Sequence, residues 1–327
     1  MASQKFRTRI TDLFGIEHPI VCGGMMWLAD ADYVSAVARA GGIGFITPRS
    51  FPTPNDFRLQ LGKAYDLSDG KPFGVNLYIS ARRESNQLLQ TFLDISIEEG
   101  VKFVETAGFS PKEFIPKIKD AGITVMHKCT TLRHALSAQK AGVDAIAILG
   151  AEAGGHPGVD MIGTMVQGAL VPRKLDVPVV LAGGMGTGKQ LAACLALGAE
   201  GMLVGTRMVV AAEIWAHENY KRHLVELGPD ATKIIMSTFG DNSRVIDNPS
   251  TEAVLALEAA GNTDYEAYRP YLQGLLQKEA YQDGNWKKGT MSIGQSVAFA
   301  RDIEPVEKII EEIMKEADAA RCRLNGL

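Results

Sequence analysis

Hydrophobic positions in the first two-thirds of the chain fall into short, β-branched runs that alternate with amphipathic segments. Each run is long enough for one buried strand, and each intervening segment can form one helix. This alternation predicts βα units that share one parallel sheet. Eight strands are predicted, at residues 19–22, 43–46, 73–77, 102–106, 124–128, 144–148, 177–182 and 201–204.

Eight βα units predict an α/β protein with a (β/α)8 TIM barrel. The alternative is a doubly wound sheet, which normally carries its glycine fingerprint directly after the first strand. Here the loops richest in phosphate-type glycines follow the seventh and eighth predicted strands instead. This late position favours the barrel, whose phosphate sites are built from those two loops.

The rhythm of strands and helices stops near residue 211 and divides the chain into three predicted parts. Residues 1–210 form the barrel. Residues 211–288 form an inserted helical subdomain, which either covers the barrel mouth or only decorates its side. Residues 289–327 return to the barrel through a glycine-bearing segment and end in a charged helix that packs on the barrel wall. In the insertion, helices are predicted at residues 213–227, 251–260, 265–276 and 277–281.

Composition and charge narrow the class of protein. The 327 residues are 46% hydrophobic and 22% charged, which is typical of globular proteins. A formal net charge of −4 gives no basic surface for nucleic acid. No apolar run reaches the ~20 residues of a membrane span, and the first seven residues lack the apolar core of a signal peptide. Four scattered cysteines without metal spacing suggest reduced thiols, so we expect a cytoplasmic protein with neither nucleic-acid nor membrane partners.

One histidine stands directly after the sixth predicted strand, in the segment Gly150-Ala151-Glu152-Ala153-Gly154-Gly155-His156. Carboxyl ends of buried parallel strands are where α/β folds carry their chemistry. His156 is therefore the candidate catalytic residue. The alternative is a loop histidine that only caps a turn.

Two adjacent loops are unusually rich in glycine, at residues 183–188 and at Gly205-Thr206. Glycines allow backbone N–H groups to approach a phosphate closely, and barrels place phosphate sites in these loops. The alternative is that the glycines only satisfy tight βα turns.

Asn76 and Lys128 lie at the ends of the third and fifth predicted strands. An amide suits the edge of a heterocycle, and a lysine suits a phosphate or an electron-rich ring. Alternatively, Lys128 is a buried lysine paired with Glu105. The chain has no metal-type cluster, no nucleophile elbow and no Walker phosphate loop, so a bound cofactor is expected to carry the reaction. These residues alone leave flavin, pyridoxal phosphate and a sugar phosphate open.

Five segments resemble the nitronate monooxygenase (2-nitropropane dioxygenase) family of FMN-dependent (β/α)8 barrels. This family also contains NADH:quinone reductases and enoyl-acyl-carrier-protein reductase II. The segments occur in the same order, from about Phe6 to Gln295. They are His18-Pro19-Ile20 with Gly23-Gly24-Met25, Pro72-Phe73-Gly74-Val75-Asn76, Glu152-Ala153-Gly154-Gly155-His156, Ala182-Gly183-Gly184 and Gly205-Thr206-Arg207.

The resemblance implies FMN as cofactor, NADH or NADPH as electron donor, a small-molecule substrate and, as one option, a homodimer. It implies that Asn76 and Lys128 contact the flavin, that the two late glycine loops hold its phosphate, and that His156 is at the reacting face. No metal site is implied. The implied cofactor-binding residues are Gly23, Gly24, Met25, Asn76, Lys128, Gly155, Ala182, Gly183, Gly184, Gly205, Thr206 and Gln295.

The segments 23–27, 104–108 and 127–130 resemble the reductases of this family more than its nitronate oxidisers, whereas residues 47–50 and 148–155 differ from the quinone reductases. The expected reaction is NAD(P)H-dependent reduction of a quinone or a conjugated carbonyl through the flavin. The alternatives are oxidation of alkyl nitronates with O2 and, third, flavin binding without catalysis.

Overall fold

Eight parallel strands close into a barrel in the computed structural model, which describes residues 6–80 and 86–326. Each strand pairs with its neighbour along the chain, and the last strand pairs with the first through Cys22 opposite Val204. The predicted TIM barrel is confirmed, and this closure excludes the doubly wound sheet. The strands are β1 (Ile20–Cys22), β2 (Ile43–Ile46), β3 (Gly74–Ile79), β4 (Phe103–Gly108), β5 (Thr124–Cys129), β6 (Ala145–Leu149), β7 (Val179–Ala182) and β8 (Gly201–Val204).

One helix precedes the first strand, and the helices that follow the strands form the outer layer of the barrel. Several begin at side-chain caps that the sequence supplies, such as Thr131, whose hydroxyl accepts from the His134 N–H group. The barrel helices are α1 (Arg9–Phe14), α2 (Ala31–Arg39), α3 (Pro54–Leu67), α4 (Gln87–Glu98), α5 (Ile115–Asp120), α6 (Leu132–Ala141), α7 (Thr164–Leu170) and α8 (Gly188–Ala196). Short 3-10 helices lie at Pro48–Ser50, Pro172–Lys174 and Thr206–Val210.

The amino-terminal end of the barrel is closed by α1. Phe14 is fully buried there and contacts Phe45 and Phe103 edge to face, with ring centroids 6.2 and 5.4 Å away. Inward-facing side chains such as Val21 and Met126 continue this core through the barrel. The carboxyl ends of the strands are left as the open end, where the loops meet.

The predicted helical insertion contains helices and also a β-hairpin. Its elements are α9 (Glu218–Val225), β9 (Thr232–Ile235), a 3-10 helix (Ser237–Phe239), β10 (Ser243–Ile246), α10 (Pro249–Ala259), α11 (Tyr265–Leu272) and α12 (Gly274–Asp283). The expectation of helices alone was therefore wrong for residues 232–246. The helix predicted at residues 265–276 is also two helices, because the backbone of Gln273 is extended (φ −62°, ψ 121°).

The chain returns through a 3-10 helix (Gln295–Phe299) and ends in α13 (Val306–Asn325), which packs against α8 and α2. Helices α8 and α13 approach so closely that a Cβ atom on Gly188 of α8 would lie 1.9 Å from the carbonyl oxygen of Ile313 on α13. Within residues 6–80 and 86–326, none of the helices has the length and apolar content needed to cross a bilayer. The prediction that the first seven residues lack a signal-peptide core concerns mainly residues 1–5, which lie outside the described residues.

Candidate functional site

A cavity of about 930 Å³ opens at the carboxyl ends of the barrel strands. Every predicted site residue except Gln295 lines it, from Gly23 after β1 to Thr206 after β8. Gln295 lines a smaller neighbouring cavity of about 390 Å³, and its N–H group donates to the Glu152 carbonyl oxygen (3.0 Å). The structure therefore brings the strand-end residues together at one mouth.

Glu105 organises the polar floor of this cavity. Its fully buried carboxylate accepts hydrogen bonds from the Asn76 amide (2.5 Å) and from the Gly24 N–H group (2.9 Å). The Lys128 ammonium lies 3.2 Å from the other carboxylate oxygen. The ion pair that the sequence left as an alternative role for Lys128 is therefore present. Because the Lys128 side chain also lines the cavity, the pair does not remove its charge from the site.

The Gly23-Gly24 turn lies directly on this floor. A Cβ atom on Gly24 would be 2.3 Å from the Asn76 Cβ atom, and one on Gly23 would be 2.9 Å from the Glu105 carboxylate. Any side chain at either position would displace the polar network. Packing against the site, and not only the geometry of the turn, therefore requires glycine at both positions.

Lys128 and its neighbour His127 face opposite sides of β5, as alternation along a strand requires. The His127 ring is buried, with Nδ1 2.9 Å from the Thr106 hydroxyl. Burial, with smaller contributions from the charges of His134 and Lys128, lowers the pKa of His127 to about 4. His127 is therefore neutral near pH 7.

The loop after β7 presents backbone donors to the cavity. Gly183 and Gly184 have φ values of 98° and 70°, a left-handed conformation that favours glycine. Their N–H groups donate to no residue in the described part of the chain. Their carbonyls are held from behind: the Thr164 hydroxyl lies 2.9 Å from the Gly183 oxygen, and the Gln190 amide donates to the Gly184 oxygen (2.7 Å). Such a loop, at the start of α8, is suited to an anion.

The loop after β8 completes this side of the mouth. Gly205 and Thr206 line the cavity, and the Thr206 hydroxyl accepts from the Gly294 N–H group (2.9 Å). Gly154 and Gly294 touch backbone to backbone, since a Cβ on either would lie 2.6 Å from the other's nitrogen. The return segment is therefore built into the mouth.

His156 lies on the rim with its side chain 58% exposed. Its Nε2 atom is 3.7 Å from an oxygen of Asp241, which belongs to the loop between β9 and β10. Asp241 was not predicted, because the hairpin that carries it was not predicted. Gln277 and Tyr281 of α12 also line the cavity and were missed for the same reason: only tertiary docking brings the insertion to the mouth.

The insertion also contacts the turn after β1. The Trp215 indole donates to the Trp27 carbonyl oxygen (2.7 Å), and the Lys278 ammonium lies 5.1 Å from the centre of the Trp27 ring. Trp27 has a φ of 70°, which is rare for a bulky residue and is characteristic of strained functional turns. The insertion therefore packs against the turn after β1 and contributes Gln277 and Tyr281 to the cavity wall, and residues 211–288 are called the cover below.

The donor set fits a phosphorylated, flat heterocycle. Two buried oxygens at the mouth can accept or share a further hydrogen bond: the Thr47 hydroxyl, which has no partner in the described chain, and the Glu105 oxygen whose neighbour is the Lys128 ammonium. They lie beside the Asn76 amide and the Lys128 charge, whereas the glycine loops offer N–H groups for a phosphate. A polar ring edge on one side and an anion on the other are the features of a nucleotide-type cofactor.

Fold and site define a barrel whose mouth carries hydrogen-bond donors suited to a phosphorylated cofactor. Comparison with known families then identifies the group: the nitronate monooxygenase family model matches residues 7–316, and the chain belongs to that family. It is therefore an oxidoreductase of a family that is generally flavin-dependent.

Individual proteins are similar to this chain over nearly its whole length. FabK from Thermotoga maritima is 32% identical, superposes with a TM-score of 0.90, and is matched over 98% of this chain and 99% of its own. A nitroalkane oxidase from Streptomyces ansochromogenes is 26% identical with a TM-score of 0.79, over 96% and 99% of the two chains. A Mycobacterium tuberculosis enzyme named (3aS,4S,5R,7aS)-5-hydroxy-7a-methyl-1-oxo-octahydro-1H-indene-4-carboxyl-CoA dehydrogenase is 28% identical over 96% of each chain.

Proposed function

We propose that this chain binds FMN and uses electrons from NADH or NADPH to reduce a quinone or a conjugated carbonyl compound. One observation carries the proposal. The turn 23–27 and the segments around Glu105 and Lys128, all of which resemble the reductases of the family, meet in a single contact network at the cavity floor. Residues that are distant in sequence thus form one cofactor-facing unit.

In this proposal the chain's own residues hold the two ends of the cofactor. Asn76 and Lys128, both oriented by Glu105, bind the polar edge of the ring. The N–H groups of Gly183 and Gly184 bind the phosphate. When bound, the flavin supplies the electron transfer that side chains cannot perform.

His156 then acts on the substrate. From the rim, its ring donates a hydrogen bond to the acceptor oxygen that gains negative charge, and such an aligned donor stabilises the transition state. Tyr281 and Gln277 reduce the access of water from the side of the cover. The name of the M. tuberculosis relative, a carboxyl-CoA dehydrogenase, supports a substrate with an activated carbonyl group.

Oxidation of alkyl nitronates is the second candidate, and the position of His156 favours it. The ring is exposed on the rim, where it could take the α-proton of a nitroalkane and so form the nitronate that the flavin oxidises. The similarity to a nitroalkane oxidase supports the same reaction.

The cofactor assignment is tested on purified protein. We expect a yellow protein that releases one FMN per chain on denaturation, identified by chromatography and mass. A colourless protein that also fails to bind added FMN would remove both candidate reactions.

The reaction is tested by mixing the oxidised holoenzyme anaerobically with NADH, NADPH or propionate-3-nitronate in separate experiments. We expect one of the pyridine nucleotides to bleach the flavin absorbance completely. Rapid bleaching by the nitronate, together with none by either nucleotide, would replace the reductase with a nitronate monooxygenase.

A further inference from the structure

Arg244 on β10 is a buried cation that reaches out of its own hairpin. Its side chain is 8% exposed, and its Nε and Nη2 atoms both donate to the carbonyl oxygen of Ala151, at 3.0 and 2.8 Å. Its Nη1 atom donates to the Thr232 hydroxyl on β9 (3.0 Å). The guanidinium thus joins the hairpin to the loop that follows β6.

The backbone of the same residue makes a second attachment. The Arg244 N–H group donates to the Gly155 carbonyl (2.6 Å), and the Gly155 N–H group donates to the Arg244 carbonyl (3.0 Å). Gly155 has a φ of 75°, a conformation that glycine adopts without strain. Arg244 therefore holds the loop at Ala151 and at Gly155, and the next residue is His156.

The hairpin also has apolar contacts that do not involve this arginine. Ile235, Val245 and Val254 give it a separate apolar core. Burial lowers the pKa of Arg244, and the charge of Glu152 opposes that effect, so the guanidinium is held at an electrostatic cost near the site. A costly buried cation whose donors point at the loop after β6 is more consistent with a role in that loop than in the hairpin.

We propose that Arg244 is the positioning residue of His156, clamping the loop from the cover so that the imidazole keeps one place at the barrel mouth. This inference rests on the proposed function of His156. The imidazole itself is mostly exposed, and the Asp241 carboxylate beside it is 3.7 Å away, so its position depends on its backbone. Displacement of a reacting group by about 1 Å can cost roughly 10²-fold in rate.

The test uses the FMN-loaded enzyme and the variant Arg244→Lys, which keeps the charge and loses the fork that holds one carbonyl with two donors. We expect unchanged flavin content and an unchanged KM for the pyridine nucleotide, with kcat lower by roughly tenfold to a hundredfold. In the His156→Ala background the same change should reduce kcat no further. Thr232→Val, which frees only Nη1, should give a smaller loss that also disappears in that background.

The matched control is Asn248→Ala. Asn248 is also buried and also makes three hydrogen bonds, to the Trp286 and Gly289 carbonyls and from the Thr251 N–H group, but none reaches the His156 loop. It should lower the melting temperature and leave kcat near the wild-type value.

The outcomes distinguish failure of the proposed role of Arg244 from failure of the proposed function of His156. Wild-type turnover in Arg244→Lys and Thr232→Val, while His156→Ala is slow, would overturn the clamp alone. Equal losses with and without His156 would also overturn it, because Arg244 would then act elsewhere. Wild-type turnover in His156→Ala would refute the proposed function, and the clamp with it.

Discussion

Gly184 and Gly122 have almost the same left-handed backbone, with φ values of 70° and 68°, but only Gly184 lines the cavity. A Cβ atom on Gly184 would lie 2.9 Å from the Glu152 Cβ atom, whereas one on Gly122 would meet nothing within 4 Å. Replacement by alanine costs about 1–2 kcal/mol of backbone strain at either site. The pair therefore separates strain from loss of the phosphate site.

We expect Gly184→Ala to weaken FMN binding at least about tenfold, because a shifted loop loses hydrogen bonds to a charged group. Gly122→Ala should lower the melting temperature similarly and bind FMN as the wild type does. Fluorescence titration of FMN into both apoproteins measures this. Equal affinities in the two variants would show that the loop after β7 does not hold the phosphate.

His127 gives the protein a specific pH dependence. Its pKa is about 4 in the folded protein because the ring is buried, and about 6.5 in the unfolded chain. Well above pH 6.5, His127 is neutral in both the folded and the unfolded state, and its contribution to stability is fully present. As pH falls from 6.5 to 4 only the unfolded state takes up the proton, so up to about 3 kcal/mol is lost.

We expect His127→Gln to flatten the fall of unfolding free energy between pH 6.5 and pH 4, relative to the wild type. Chemical denaturation of both proteins at each pH measures the two curves. Parallel curves for wild type and His127→Gln would contradict the assignment.

Among the elements, α1 has a purely structural position. Phe14 fills the amino-terminal end of the barrel, at the opposite end from the mouth. We expect Phe14→Ala to lower the free energy of unfolding by about 3–5 kcal/mol and to leave FMN affinity unchanged, since this end serves stability. Leu59→Ala on α3, where the side chain is 64% exposed, should change stability by less than about 0.5 kcal/mol. Urea unfolding and FMN titration of both variants test this, and a large loss of FMN affinity in folded Phe14→Ala would contradict it.

The barrel strands were predictable because each is a continuous apolar run that is buried on both faces. β2 and β8 have the predicted bounds, and the others differ by one or two residues at their ends. The hairpin was not predictable from the same signal. β9 and β10 have four residues each and lie in a polar block, and their turn begins at Met236 in a left-handed conformation (φ 64°) instead of at a glycine or asparagine.

The same reasoning explains which parts of the site were found. Residues near the predicted strand ends, such as Asn76, Lys128 and Gly184, could be found because closure of a barrel brings all strand ends to one mouth. Asp241, Tyr281 and Arg244 could not, because their position depends on how the insertion docks. No local pattern in a sequence encodes that docking.

At the scale of the whole molecule, stability and chemistry are assigned to opposite ends of one barrel. The bottom is closed by apolar contacts around α1, and the top is held by hydrogen bonds between loops that come from distant parts of the chain. Regions of few apolar contacts and many exposed hydrogen bonds open most readily. A cofactor that bridges the top loops should therefore stabilise that end selectively.

Hydrogen exchange followed by mass spectrometry, on protein with and without FMN, measures this effect. With FMN at 100 times its dissociation constant, the global stabilisation should be about 2.7 kcal/mol. Local protection should rise most at residues 183–188, 205–206 and 292–296, and with them at the hairpin residues 240–244, because residues 240–242 line the same cavity. Residues 9–14 serve as the internal control and should change only as much as the global stability does. Protection that is uniform along the chain, or strongest at residues 9–14, would mean that the cofactor does not bind between the late loops and the cover.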